Sequence, residues 1–364
     1  MAFESGAVTC RMFYVPGGLP DDVIDRFAAA AAPPVLDMGR EPIEGWVTSR
    51  HLMDGHITDE SATVAGYLYL YLMQAERKIP PALLRAECRM RELAEMQARG
   101  LAYLRRSERT EIKKTVVDEL QPKMPPTLKG IALVYDRNDQ VAYASATSDK
   151  QLDALVLNFR STTGATLIPI EPETAAVQRG GVHLSELVPT CFVPEFEYAG
   201  APDTAGQDFL TWLWYASETG SLTAALPDSC GIIIEGPLTF VFEGGGAHET
   251  TLRKGSPMVA TEAKAALMAG KKLRRAVLTM AQGETVWTAT LDADSFIFRG
   301  LKLPKGEAMD PIGKFEERMM ALRVLREAFL GLFDHFLKLR TEPERWEQTL
   351  AEVYEWVEKR AARP

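Results

Sequence analysis

Between Thr63 and Ile170 the hydrophobic pattern changes period repeatedly, and this alternation constrains the fold more than any other feature of the chain. Thr63 to Met73 is β-branched and aromatic and reads as a strand. Pro80-Pro81 opens a helical pattern from Ala82 to about Leu104, and a second helix is expected from Ser107 to Leu120, ending before Pro122. Strand character returns at Gly130 to Tyr135, turns at Asp136-Arg137-Asn138-Asp139 and resumes over Val141 to Ala146, which makes a hairpin. Ser148 with Gln151 forms a capping box that starts a helix to about Ser161, and Thr166 to Ile170 is a following strand. Strand, strand, helix, strand in that order predicts an α+β layer.

The flanks extend the same class. Val8 to Val15 alternates as a strand and stops at Pro16-Gly17-Gly18, and Asp21 to Ala32 reads as a short helix capped by an Asp. Glu171 to Ala205 is rich in Pro, Gly and small residues and reads as a connection. Gly244-Gly245-Gly246 is a loop, and Pro257 to Leu267 is a helix that stops at Gly270. Three strands follow, Lys272 to Met280, Thr285 to Leu291 and Ser295 to Leu303, before two amphipathic helices, Pro311 to Arg340 and Glu342 to Arg360. This divides the chain into an α+β half over 1–172, with a long basic helical segment at 82–120, a second α+β half over 173–304 and a helical extension over 305–364.

No run approaches the roughly 20 apolar residues that span a bilayer. The first residues carry no basic region of a secretory signal, and Cys10, Cys88, Cys191 and Cys230 are too scattered for a disulfide framework or a zinc knuckle. The chain reads as cytosolic, with no membrane partner. Its net charge of -9 argues against a uniformly basic DNA coater. It leaves room for a local basic track on an anionic molecule.

An active site is hard to find. His51 and His56 near Asp54 and Asp59 form the one modest metal-like cluster, and an exposed polar loop explains it better. Gly270-Lys271 lacks the upstream Gly and downstream Ser or Thr of a phosphate loop, since Ala265 and Lys272 stand there. Asp292 and Asp294 could hold Mg²⁺ in a metal-dependent nucleic-acid enzyme, although an Asp pair in a strand-linking turn is usually turn chemistry. No catalytic residue, metal site or cofactor is expected.

Positive charge offers more. Arg85, Arg89, Arg91, Arg99, Arg105, Arg106, Arg109, Lys113, Lys114, Lys123 and Lys129 crowd one stretch, interleaved with acids that would pair some of them. Residues 106, 109 and 113 fall on one helical face, with Arg105 alongside at the junction. Arg253-Lys254 and Lys271-Lys272, the latter followed by Arg274-Arg275, are further clusters. Converging in space, they would track phosphates. Tyr103 is the one ring near the first cluster, so backbone contact is favoured over base stacking. The aromatic run Phe209 to Tyr215 reads as core or dimer packing.

Several motifs in order resemble the recombination-associated RdgC family. They are Gly45-Trp46-Val47, Lys78-Ile79-Pro80-Pro81, Arg105-Arg106-Ser107-Glu108-Arg109, Leu120-Gln121-Pro122-Lys123, Pro126 to Ile131, Ala146 to Asp153, Ala269-Gly270-Lys271-Lys272 and Phe298 to Leu303. The resemblance covers 40–172 well and 250–304 moderately. It implies an α+β protein forming a ring-shaped homodimer around double-stranded DNA, with single-stranded DNA left open. It also implies little sequence preference, restraint of the RecA recombinase by occupying its duplex, nucleoid association and no catalysis. On that analogy Lys123 and the Arg253-Lys254 loop lie near the DNA path. Met124-Pro125 and Gly255-Ser256-Pro257 depart from the better-known members, as do the expansions at 205–246 and the C-terminal helices. A third reading makes those helices a scaffold for a protein partner.

Overall fold

The computed structural model describes residues 3–187, 190–193, 204–222, 226, 230–242, 249–254 and 260–359. Among these the chain is α+β, built on one large antiparallel sheet with helices on its faces. The strand order is β2 (Ile43–Thr48), β4 (Tyr67–Arg77), β5 (Pro126–Asp136), β6 (Val141–Ala144), β1 (Val8–Tyr14), β12 (Ile297–Lys302), β11 (Thr285–Asp292), β10 (Lys272–Gln282), β8 (Cys230–Val241) and β9 (Thr250–Leu252). Two short strands, β3 (Thr63–Val64) and β7 (Ile168–Pro169), pair with β4 and β1.

β1 joins the two ends of the sequence. Its start pairs Val8 and Cys10 with Leu301 and Phe298, while Arg11 to Tyr14 pair with Ala144 back to Val141. Alternation then sends Val8, Cys10 and Met12 into one core and Phe13 and Val15 into another. The second core lies under α1 (Val23–Ala29) and α5 (Asp149–Thr163), with Phe27 against Trp46 and Phe159. The first core runs the length of the sheet on the opposite face, beneath α7 (Ala205–Thr219), α9 (Pro311–Thr341) and α10 (Pro343–Lys359).

α7 contains the aromatic run. Phe209 meets the rings of Phe296, Phe329 and Phe333 at 6.0, 5.6 and 5.2 Å, so the run is core of this chain. At its start, a Cβ on Gly206 would lie 2.0 Å from the Ala293 carbonyl oxygen, which only glycine accommodates. α9 is tied to the N-terminal half as well. Arg326 is buried and donates to the Tyr143 hydroxyl and to Asp139 in the β5–β6 turn, and Arg323 also reaches Asp139.

Several sequence expectations need correcting. The strand at 63–73 is broken by Ala65 and Gly66, both at positive φ, into β3 and a β4 that runs on to Arg77. Asp22 stands at the start of α1 but caps nothing, because its carboxylate is held by Arg26. The connection at 171–205 contains α6 (Pro172–Gly180), and the 205–246 expansion holds α7 and β8. The helix expected at 257–267 occupies Thr261–Met268, while Gly244 to Gly246, Pro257 and Arg360 lie outside the described residues. The Ser148 capping box forms as expected.

Candidate nucleic-acid interface

α3 (Pro81–Arg99) and α4 (Arg106–Leu120) form a helical hairpin inserted between β4 and β5. Pro81 opens α3, and Gly100 closes it at φ 63, the left-handed conformation that glycine adopts freely. Glu108 then accepts the backbone N–H of Arg105 at 2.7 Å and the Arg99 guanidinium at 2.6 Å. The Arg105 backbone hydrogen bond, helped by Arg99, holds the Glu108 carboxyl below the usual carboxylate range. α3 has no buried residue and α4 buries only Val116, so the hairpin projects from the body.

Charge is segregated on this projection. One groove along α4 is lined by Pro81, Leu84, Cys88 and Thr110, with Arg85, Arg89, Arg106, Arg109 and Lys113 set against the single acid Glu92. The groove on the other flank of α4 pairs Arg91 and Arg99 with Glu95, Glu108 and Glu111 around Ala94, Ala98, Ile112 and Thr115. There Arg99 bonds both Glu108 and Glu95, and Arg91 reaches back to Glu119 at 2.5 Å. The cause is helical spacing, because positions 106, 109 and 113 lie across α4 from 108, 111 and 115. Among the described residues no carboxylate forms an ion pair with Arg85, Arg105, Arg106, Arg109, Lys113, Lys114 or Lys123; Arg89 alone in the first groove is paired, with Glu92.

The remaining expected positions fall differently. Lys123 is exposed in the 3-10 turn Gln121–Lys123 that follows α4. Lys129 is exposed on β5 but shares Glu76 with Lys78. Tyr103, in the α3–α4 connection, is 72% exposed. Arg253 and Lys254 are exposed just beyond β9, and Lys271 donates to the Thr250 hydroxyl at 2.5 Å. Lys272 is a correction. It is buried, its ammonium is 2.5 Å from Asp208 and donates to the Thr204 hydroxyl at 3.1 Å, so no phosphate can reach it. Arg99 is likewise committed to carboxylates.

The clusters therefore do not merge within one chain. β5 and β9 are seven inter-strand steps apart in the sheet, about 34 Å if flat at roughly 4.8 Å per step. Sequence reasoning also passed over Arg85 and Arg89 as contact residues, although their spacing of four marks a shared face of α3.

The nuclease candidates are occupied by cations. Asp292 is buried against Arg275 at 2.7 Å and Arg299 at 3.8 Å. Asp294 holds Arg274 at 2.6 Å and accepts from Gln207. Among the described residues no group of three or more His, Cys, Asp or Glu side chains is arranged to hold a metal ion, and no helix is long and apolar enough to cross a membrane.

Residues 29–179 match a protein-family model described as "RdgC: Putative exonuclease, RdgC". That segment is similar to the RdgC family. The matched segment contains β2 through α5 and nearly all of α6, so the whole α3–α4 hairpin lies within it. Arg253, Lys254, Lys271 and Lys272, and the resemblance read at 250–304, lie outside the matched residues. No curated protein matches the chain.

Proposed function

We propose that this chain is a recombination-associated protein that grips the DNA backbone without reading sequence and performs no catalysis. The observation that carries the reading is the one-sided charge of the α3–α4 hairpin, with five cations against one carboxylate on one flank and ion-paired arginines on the other. Guanidinium and ammonium groups without protein partners supply the salt-dependent attraction to phosphates, while a molecule of net charge -9 repels DNA elsewhere. On this reading two copies close into a ring-shaped homodimer around duplex DNA in the cytoplasm, at the nucleoid, and restrain RecA by occupying its duplex. The separation of the hairpin from Arg253 and Lys254 fits a track assembled from two chains.

A titration of binding to duplexes of unrelated sequence across salt tests the reading. If Arg85, Arg106, Arg109 and Lys113 of both protomers meet phosphates, the log–log slope is about -7, at roughly -0.9 per contact. Binding that is insensitive to salt, or confined to one sequence, refutes it.

The family model's description supports a second reading as a nuclease. The arginines on Asp292 and Asp294 weigh against those residues as its metal ligands. Linear duplex and supercoiled plasmid incubated with Mg²⁺ or Mn²⁺ are expected to stay intact, and shortening of the linear duplex or nicking of the plasmid would establish the nuclease. The scaffold reading of the C-terminal helices is disfavoured because Phe315, Phe329, Phe333 and Phe336 of α9 are part of the core. Deleting α9 and α10 is expected to unfold the chain rather than release a partner while sparing DNA binding.

A further inference from the structure

Among the described residues, no helix packs on one face of the C-terminal strands. In the N-terminal half α1 and α5 pack on the face that Phe13 and Val15 share; across β1 the same face continues over β12, β11, β10 and β8, with Ile297 and Asp292 buried on it and the positions farther along the strands partly or fully exposed. Ile233 and Val286 there are 60% and 44% exposed. Register places Arg275 beside Asp292, Val277 beside Thr290, Thr290 beside Arg299 and Thr288 beside Lys302, so these side chains share that face. Opposite them, Ala276, Leu278, Met280, Ala289, Leu291 and Leu301 point into the core.

The charge on this face has a specific construction. Asp292 is buried and lies between two half-exposed guanidiniums, Arg275 at 2.7 Å and Arg299 at 3.8 Å. One carboxylate holding two arginines fixes their direction and leaves one positive charge over. Lys302 is exposed on the same strand as Arg299, and Thr288 and Thr290 stand between the cations as hydroxyl donors. Fixed guanidiniums suit phosphate oxygens because less freedom is lost on binding.

We propose that the uncovered face around Arg275, Arg299 and Lys302 is a second seat for nucleic-acid phosphates, with Asp292 as the residue that positions the arginines. The proposal rests on the DNA-binding reading above and extends it to residues beyond the matched segment. Threonine hydroxyls and cations, with no exposed ring among the described residues of the face, suit backbone contact; base stacking would need an aromatic platform.

The test measures duplex affinity across salt for Arg299→Ala/Lys302→Ala, for the charge-matched control Lys314→Ala/Arg345→Ala, and for Glu235→Gln. Glu235 is an exposed carboxylate on the same face, bonded by Thr279 at 3.0 Å. Losing two contacts makes the slope shallower by about 1.8 and lowers affinity about 60-fold at 0.1 M salt relative to 1 M. The control is expected to match wild type, and Glu235→Gln to bind more tightly, a gain that misfolding cannot imitate. An unchanged Arg299→Ala/Lys302→Ala slope, an equal loss in the control, or no gain from Glu235→Gln overturns the second seat. If Arg106→Ala/Arg109→Ala still weakens binding in that case, the hairpin reading stands. Failure of the wild-type protein to bind DNA at all would instead remove the parent reading.

Discussion

Replacing Lys272 with Ala separates a structural cation from the DNA-binding ones. Lys272 and Asp208 have side chains only 4% and 3% exposed, and their charged atoms are 2.5 Å apart. Removing the ammonium strands a carboxylate where water cannot solvate it, and breaking such a buried pair costs about 3–5 kcal/mol. That is a large share of the roughly 5–15 kcal/mol that holds a folded domain together. Urea unfolding followed by tryptophan fluorescence suits the measurement, because Trp212 and Trp214 lie on the same helix as Asp208. The double variant Lys272→Met/Asp208→Leu should recover part of the loss, since the carboxylate is no longer stranded, while the buried Arg340 guanidinium loses the attraction of Asp208. Below the unfolding range, Lys272→Ala should keep the wild-type salt slope for DNA. A loss under about 1 kcal/mol, or a slope reduced by one contact in the folded variant, would refute the assignment.

Other substitutions probe the frame. Phe209→Ala removes a ring held by four phenylalanines and should cost about 3–5 kcal/mol in denaturant unfolding. Gly45→Ala would drive a Cβ to 2.5 Å from the Ala32 Cα beside the β2 core, and a loss of at least about 1–3 kcal/mol is expected by the same assay. Cys10 is buried on β1, and burial pushes its thiol up to about 12. A disulfide-forming thiol reagent should therefore label it only on unfolding, whereas partly exposed Cys88 should react in the native protein.

Local signals were the legible ones. The Ser148–Gln151 box and Pro80-Pro81 each act within a turn or so, and the helices they open start as read, although the second stops at Arg99, short of the expected Leu104, where Gly100 turns left-handed. The strand β8 was hidden because Gly231, Gly236 and Pro237 dilute its β-branched run, and pairing with β10 overrides that weak preference. α7 gave no helical stripe because it is buried all round, so no polar face marks its period. At the interface, the shared face of Arg106, Arg109 and Lys113 followed from spacing. The neutralisation of Arg91 and the burial of Lys272 did not, because Glu119 and Asp208 are brought up only by folding.

The central claim is that DNA lies along the cationic flank of the hairpin and not along the ion-paired one. Matched double variants test it directly: Arg106→Ala/Arg109→Ala on the first flank, and Arg91→Ala/Arg99→Ala on the second, each titrated with duplex across salt. The first should lose about 1.8 from the slope and about 60-fold in affinity at 0.1 M salt relative to 1 M, while the second keeps the wild-type slope. Equal losses from both flanks, or a larger loss from the second, would contradict it.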